Sequence, residues 1–314
     1  MDEALGKGNS TAAVAREVEL ELRTKAIQQE VRMKSAKSSL LLLIPATALM
    51  VVFLAVPMLM VLDESFRTYS PGRIGAVAGA PRTTENYSDL LLPVYARYFL
   101  QTYVLAFCAS LIAVATAFPI AYYIARNASP RVRKTWISAL IGLMFLNALV
   151  RIYAIQLTFG SIGVVAPLMS FIGVNTNGTL YINWVVIAGL LQYAIPISIL
   201  ILIGAIQSLN PRLIEAALSL GASAFEAHST ITMPLCMRGL ISSFLVSMTL
   251  GVSAFAIPWI LGRGRVLFIS NLIYSRFSEN ANFPSGAAIS IVMIVLSMLL
   301  IFVLSRLATK FDRT

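Results

Sequence analysis

Few residues in this chain could act on a covalent bond. It carries one histidine, His228, so neither a His-based metal site nor a Ser-His-Asp triad can be assembled. No Gly-x-x-x-x-Gly-Lys-Ser/Thr loop is present, so the chain does not hydrolyse ATP by itself. Cys108 falls inside an apolar run and Cys236 at the edge of another, which argues against a disulfide. What the spacing offers instead is mechanical. Glu215-Ala216-Ala217-Leu218-Ser219-Leu220 are strong helix formers, and Gly221 is free to take φ > 0. Ala222 to Thr230 can form a second short helix, with Phe225 inside it, before Ile231-Thr232-Met233-Pro234, where the proline punctuates. The stretch reads as a helix-turn-helix elbow of small residues that another surface could approach closely. His228 sits inside it and reads as an exposed polar contact ahead of a pH sensor.

Arg151 is the charged residue set deepest in an apolar run, about 22 Å from the start of that run at 1.5 Å per residue. Two readings stand: it faces a bundle interior or water-filled cavity as a gate, or it snorkels or pairs structurally. Asn147, Tyr153 and Gln156 share its run. Gln192 and Tyr193 lie midway along the next, and Ser247, Thr249 and Ser253 on the one after. Helix packing accounts for each polar residue taken alone. Together Asn147, Arg151, Tyr153, Gln192, Tyr193 and Ser253 are the candidates for a pathway or gate. No acid interrupts the apolar runs, so a polycation would meet aromatic faces, carbonyls or other chains.

The elements that position these residues are written in the composition. Of 314 residues, 58% are hydrophobic and 12% charged, against about 25% charged in soluble domains. Mean hydropathy is +0.81. Six apolar runs, roughly 38–62, 98–125, 136–159, 182–207, 239–261 and 286–307, each reach the ~20 residues a bilayer needs. The expected fold is therefore all-α and polytopic, with six transmembrane helices between a helical extension over 1–37 and a tail over 308–314. Pro45, Pro57, Pro119, Pro196 and Pro258 lie inside the runs and mark expected kinks. The net charge of +10 clusters at one set of span ends rather than in a nucleic-acid patch. The short loop holding Arg126, Arg131, Arg133 and Lys134 contains no acid, so the positive-inside rule puts both termini and the loop over 208–238 in the cytoplasm. The extension shows two apolar stripes rather than one, and an acidic helix before the first run excludes a signal peptide. On the other side, a short helix is expected over 84–92 and a re-entrant or interfacial segment over 161–179.

The elbow resembles the EAA loop of ABC-importer permeases. Glu215, Ala216, Ala217, Gly221, Ile231 and Pro234 all fall on that pattern, and Met233 stands where Leu is usual, a swap of similar volume. Asn86-Tyr87, Leu149-Val150-Arg151-Ile152-Tyr153-Ala154, Ala254-Phe255-Ala256-Ile257-Pro258 with Leu261-Gly262, and Asn271-Leu272-Ile273-Tyr274 resemble the B-type permeases of spermidine/putrescine importers. Arg263 departs from a second glycine common after Gly262.

That resemblance implies a type I importer permease fold in the bacterial inner membrane. It implies Glu215, Ala216, Ala217, Gly221, Ala222, Phe225, Ile231 and Pro234 as the coupling residues. It implies a cytoplasmic ABC ATPase dimer that binds ATP and Mg, a second permease, and a periplasmic solute-binding protein. This chain would need no cofactor or metal of its own. The implied solute is a polyamine; related permeases carry aminophosphonates, opine-like compounds and ferric iron. A membrane enzyme would need clustered acids or histidines, and an ion channel would need no elbow.

Overall fold

The computed structural model describes residues 43–71 and 80–311, without side chains at 224–225 and 307–311. The extension expected over 1–37, the turn residue Gly72 and the end of the tail lie outside the described residues. The chain divides after Val61 into two units. In the first, residues 43–61 belong to helix α1 (Leu43–Ser65), whose Leu49, Val51 and Phe53 are exposed.

The regular elements of the second unit, among the described residues, are helices: α2 (Glu85–Asp89), α3 (Pro93–Tyr122), α4 (Pro130–Phe145), α5 (Ala148–Phe159), α6 (Ala166–Phe171), α7 (Thr179–Gln207), α8 (Arg212–Ser219), α9 (Ala224–Ala227), α10 (Met233–Leu235), α11 (Met237–Val252), α12 (Ala256–Leu261), α13 (Ile269–Tyr274) and α14 (Phe283–Phe311). No strand occurs among the described residues, only an isolated bridge between Arg67 and Arg82. Proline opens α3 and α4, where its missing N–H costs nothing. Single π turns follow α3 and α13 and join α9 to α10.

Helices α1, α3, α7 and α14 are long and apolar enough to span a bilayer unaided. The third and fifth expected spans are not straight helices. α4 and α5 meet at 90° across Leu146-Asn147, and Asn147 Oδ1 accepts from Leu149 N at 2.8 Å, capping a new helix. The fifth run breaks at Ser253-Ala254-Phe255. Pro258 is the cause, because it has no N–H for the carbonyl of Ala254 and its ring crowds that oxygen. Pro234 does not end the elbow either. It lies at the start of α10, and the chain turns by 62° into α11.

The core is the contact of α3, α7 and α11. Ala109, Ala113, Ala117, Ala121 and Ala125 recur every fourth residue along α3 and its following turn and are buried, so one face is small enough for close packing. Between α7 and α11, a Cβ added to Gly239 would fall 2.3 Å from Ala205 Cβ. Farther along the same pair, the buried hydroxyls of Ser198 and Ser247 are 2.9 Å apart. Lipid tails are as apolar as leucine, so close approach and such bonds, each ~1 kcal/mol, hold the helices together.

The ends are tied by polar contacts. Asn86 Nδ2 donates to the carbonyls of Ser65 and Arg67, Tyr87 OH meets Ser65 Oγ at 2.6 Å, and Asp63 pairs with Arg67 and Arg82. These contacts account for the Asn-Tyr dipeptide. The segment over 161–179 forms the short α6 and loops that accept hydrogen bonds from Arg263 and Arg265.

Candidate functional site

The elbow is built by capping rather than by burial. Asn210 Oδ1 accepts from Arg212 N and starts α8. At its end the Ala222 N–H donates to Ala217 O and the Gly221 N–H to Leu218 O, both at 3.1 Å. This pair of bonds is a Schellman motif, with Gly221 at φ +88° as its left-handed residue. A Cβ on Gly221 would touch nothing within 4 Å, so the demand for glycine there is conformational. Ser223 then caps α9 reciprocally: its Oγ accepts from Glu226 N at 3.2 Å, and Glu226 Oε2 accepts from Ser223 N at 2.8 Å. The Ser223 backbone N–H, and after it the Ser223 hydroxyl, hold the Glu226 carboxyl below the ordinary glutamate range.

Glu215, Ala216, Gly221 and Pro234 are exposed, and Ala217, Ala222 and Ile231 half-buried. The side chain of Phe225 lies outside the described residues. Leu213, Leu218, Leu220, Met233 and Leu235 are also exposed, Leu220 at 89%. Five large apolar side chains are thus exposed within this one loop.

Two contacts bind the elbow to the bundle. Arg126 donates from Nη2 to the carbonyls of Ile206 and Leu209, both at 2.6 Å, which neutralises the C-terminal end of α7 just before the elbow begins. His228 is half-buried, packs edge-on against Tyr122 of α3 at 4.4 Å between centroids, and meets Thr232 Oγ1 at 3.1 Å. It is a packing residue rather than the exposed contact its sequence context indicated. Neither contact was legible in sequence, since each partner lies far along the chain.

Inside the bundle a cavity of about 210 Å³ lies among α3, α5, α7, α11 and α12, with Tyr193, Ser247, Leu250, Ala254 and Phe255 among its lining residues. Of the six candidate pathway residues, Tyr193 lines it. The guanidinium of Arg151 lies 4.3 Å over the Tyr193 ring, and its Nη1 is 3.5 Å from Gln192 O. Because α5 restarts at Ala148, Arg151 stands one turn beyond a right-angle bend. The straight-helix depth of about 22 Å therefore does not apply. The side-chain amide of Gln192, Arg151 Nε and Gln156 Oε1 are buried without a hydrogen-bond partner. Asn147 caps α5, Tyr153 is 54% exposed, and Ser253 Oγ bonds back to Thr249 O. Ser253 lines a different, almost wholly apolar recess between α11 and α14.

Sequence reasoning passed over Phe255 as a site residue. The signal was Pro258, which breaks the helix and turns Phe255 toward the cavity. The carbonyls at that break are met from α13: Ser270 Oγ donates to Ala254 O at 2.6 Å, and Asn271 Nδ2 to Phe255 O at 3.0 Å. No three His, Cys, Asp or Glu side chains come together to hold a metal ion among the described residues.

Known proteins agree with this architecture. A family model described as the inner membrane component of binding-protein-dependent transport systems matches residues 117–314. The spermidine/putrescine transport system permease protein PotB of Haemophilus influenzae is 32% identical over 259 residues, spanning 82% of this chain and 89% of its own. PotB of Escherichia coli strain K12 is 29% identical over 266 residues, spanning 83% and 95%. Among solved structures, a chain of a bacterial alginate ABC transporter in complex with an alginate-bound periplasmic protein superposes with a TM-score of 0.70 at 18% identity. It covers 90% of this chain and 98% of that one.

Proposed function

This chain belongs to the inner membrane components of binding-protein-dependent transport systems, and from that premise we propose that it carries a polyamine such as spermidine or putrescine through the inner membrane. It is a permease subunit of an ABC importer with a type I fold. In the proposed assembly it pairs with a second, similar permease, receives solute from a periplasmic binding protein, and leaves ATP and Mg to a cytoplasmic ATPase dimer.

The observation that carries the coupling role is the elbow between α7 and α11. It exposes Leu213, Leu218 and Leu220 and is rigidly capped at Gly221, and it leads into the two helices that flank the cavity. A force that draws two such elbows together on ATP binding would tilt α7 and α11 and open the cavity to the other side. Polyamine is supported by the likeness to PotB and by the aromatic lining from Tyr193 and Phe255.

A second solute class has one observation in its favour. Arg151 and the unpartnered Gln192 amide behind Tyr193 would suit a carboxylate or phosphonate, so an aminophosphonate or opine-like compound is the competing solute.

The test is to reconstitute the assembly with its ATPase and binding protein and to measure solute-stimulated ATP hydrolysis. Stimulation by spermidine-loaded binding protein is the expected result. Stimulation by an aminophosphonate and not by amines would overturn the polyamine reading while keeping the importer.

A further inference from the structure

A second cavity of about 340 Å³ opens beyond the α12 wall, lined by Tyr98, Trp259, Asn271, Ser275 and Glu279 among others. Its chemistry differs from that of the first. It combines an indole, a phenol and a carboxylate in one recess, which is the combination that receives an organic ammonium: ring faces for the charge and its methylenes, a carboxylate for its N–H donors.

Three features make the recess a built one. Trp259 stacks on Phe255 at 5.6 Å and 22°, and Tyr274 stands edge-on to it at 5.6 Å, so the indole is held in place yet 43% exposed. Asn271, 2% exposed, is locked at both ends of its amide: Nδ2 donates to Phe255 O, and Oδ1 accepts from Phe268 N. Glu279 Oε2 accepts from Ser275 Oγ at 2.6 Å, which orients the carboxylate. The nearby cation on the same turn, Arg276, is directed elsewhere and donates to Tyr95 OH at 2.7 Å. Arg97 and Arg265 line the adjoining recess beyond Tyr98, so a cation finds its carboxylate on the Glu279 side only. Phe255, the stacking partner of Trp259, lines the inner cavity, and the two recesses therefore share the Phe255–Trp259 pair as a wall.

We propose that the Tyr98–Trp259–Glu279 recess is an amine-receiving subsite, where one ammonium end of the solute is held before it passes the Phe255–Trp259 pair. This rests on the reading of the solute as a polyamine, and the test separates the two. Trp259 is made the sole tryptophan by Trp136→Phe and Trp184→Phe in the full-length chain in lipid nanodiscs. Its emission is then titrated with spermidine and, as an uncharged control of similar length, with 1,8-octanediol. A saturable change with spermidine and none with the diol is expected. Glu279→Gln, an exposed position that does not threaten folding, should weaken the midpoint roughly fivefold, and Glu279→Asp should recover part of it. No change with spermidine, or the same midpoint in Glu279→Gln, would overturn the subsite. If emission responds while the reconstituted importer does not take up spermidine, the subsite stands as an amine site and the polyamine function falls. If uptake proceeds without the emission change, the function stands and the subsite falls.

Discussion

Ser270 Oγ donates a 2.6 Å hydrogen bond to the carbonyl of Ala254, the acceptor that Pro258 leaves without its helical donor. Two neighbouring segments are thereby one device: a proline breaks the membrane helix, and the start of α13 meets the exposed backbone. Within a membrane an unmet carbonyl is costly, so Ser270→Ala should destabilise the fold by roughly 1–3 kcal/mol. Thermal unfolding of the detergent-solubilised chain checks it, and Ser270→Thr should recover most of the loss. An unchanged midpoint for Ser270→Ala would mean that another donor serves Ala254.

Arg151, stacked at 4.3 Å on Tyr193, is expected to act in the transport cycle and not in solute choice. Its position behind a cavity-lining ring keeps its charge off the solute while letting its movement shift the ring. Arg151→Gln should lower the maximal uptake rate at matched membrane abundance and leave the order of competing solutes unchanged. Arg151→Lys should rescue partly, because an ammonium lacks the planar stacking face. A changed order of competitors with the maximal rate intact would put Arg151 in the binding site instead.

Much of this molecule was legible in sequence, for physical reasons. Apolar runs of bilayer length announce spans, and Gly221 announced a left-handed corner because no other residue adopts φ +88° cheaply. The breaks were harder to see. Leu146-Asn147 sits in a run that is apolar on both sides, and hydropathy averages over a right-angle turn. The Pro258 break was visible only as a kink, since what makes it a full break is the partner supplied by Ser270. Arg263 noted as a departure from glycine takes φ +49°, so its position does call for the left-handed region. Its Nη1 and Nη2 reach the carbonyls of Thr176 and Phe159 at 3.5 and 3.4 Å, contacts a glycine could not make.

The Ser223–Glu226 capping box gives the elbow an acid sensitivity. The Ser223 backbone N–H and hydroxyl lower the Glu226 pKa, so its folded value lies below its unfolded one. The stabilisation is then present above the ordinary glutamate range and lost as pH falls through the folded value, which lies below that range. Hydrogen exchange at the Ser223 and Glu226 amides should lose protection over that window. In Glu226→Ala the protection should be low at every pH; a wild-type profile in that variant would remove Glu226 from the device.

The orientation reading has its own test. With Cys108 and Cys236 replaced, Ser223→Cys should resist an impermeant thiol reagent in intact spheroplasts and Ser88→Cys should react. The opposite pattern would invert the topology and with it the side on which an ATPase docks.

If the elbow drives the cavity, ATP-driven spermidine accumulation in proteoliposomes depends on it. The full assembly is compared with one in which this chain carries Gly221→Val. A β-branched residue at φ +88° is strained by an amount on the order of 1–3 kcal/mol and breaks the Schellman corner without disturbing the bundle, since nothing lies within 4 Å of that position. The variant assembly should still reach the membrane and still contain its ATPase, but accumulate little or no spermidine. Equal accumulation by variant and wild type at equal abundance would contradict it.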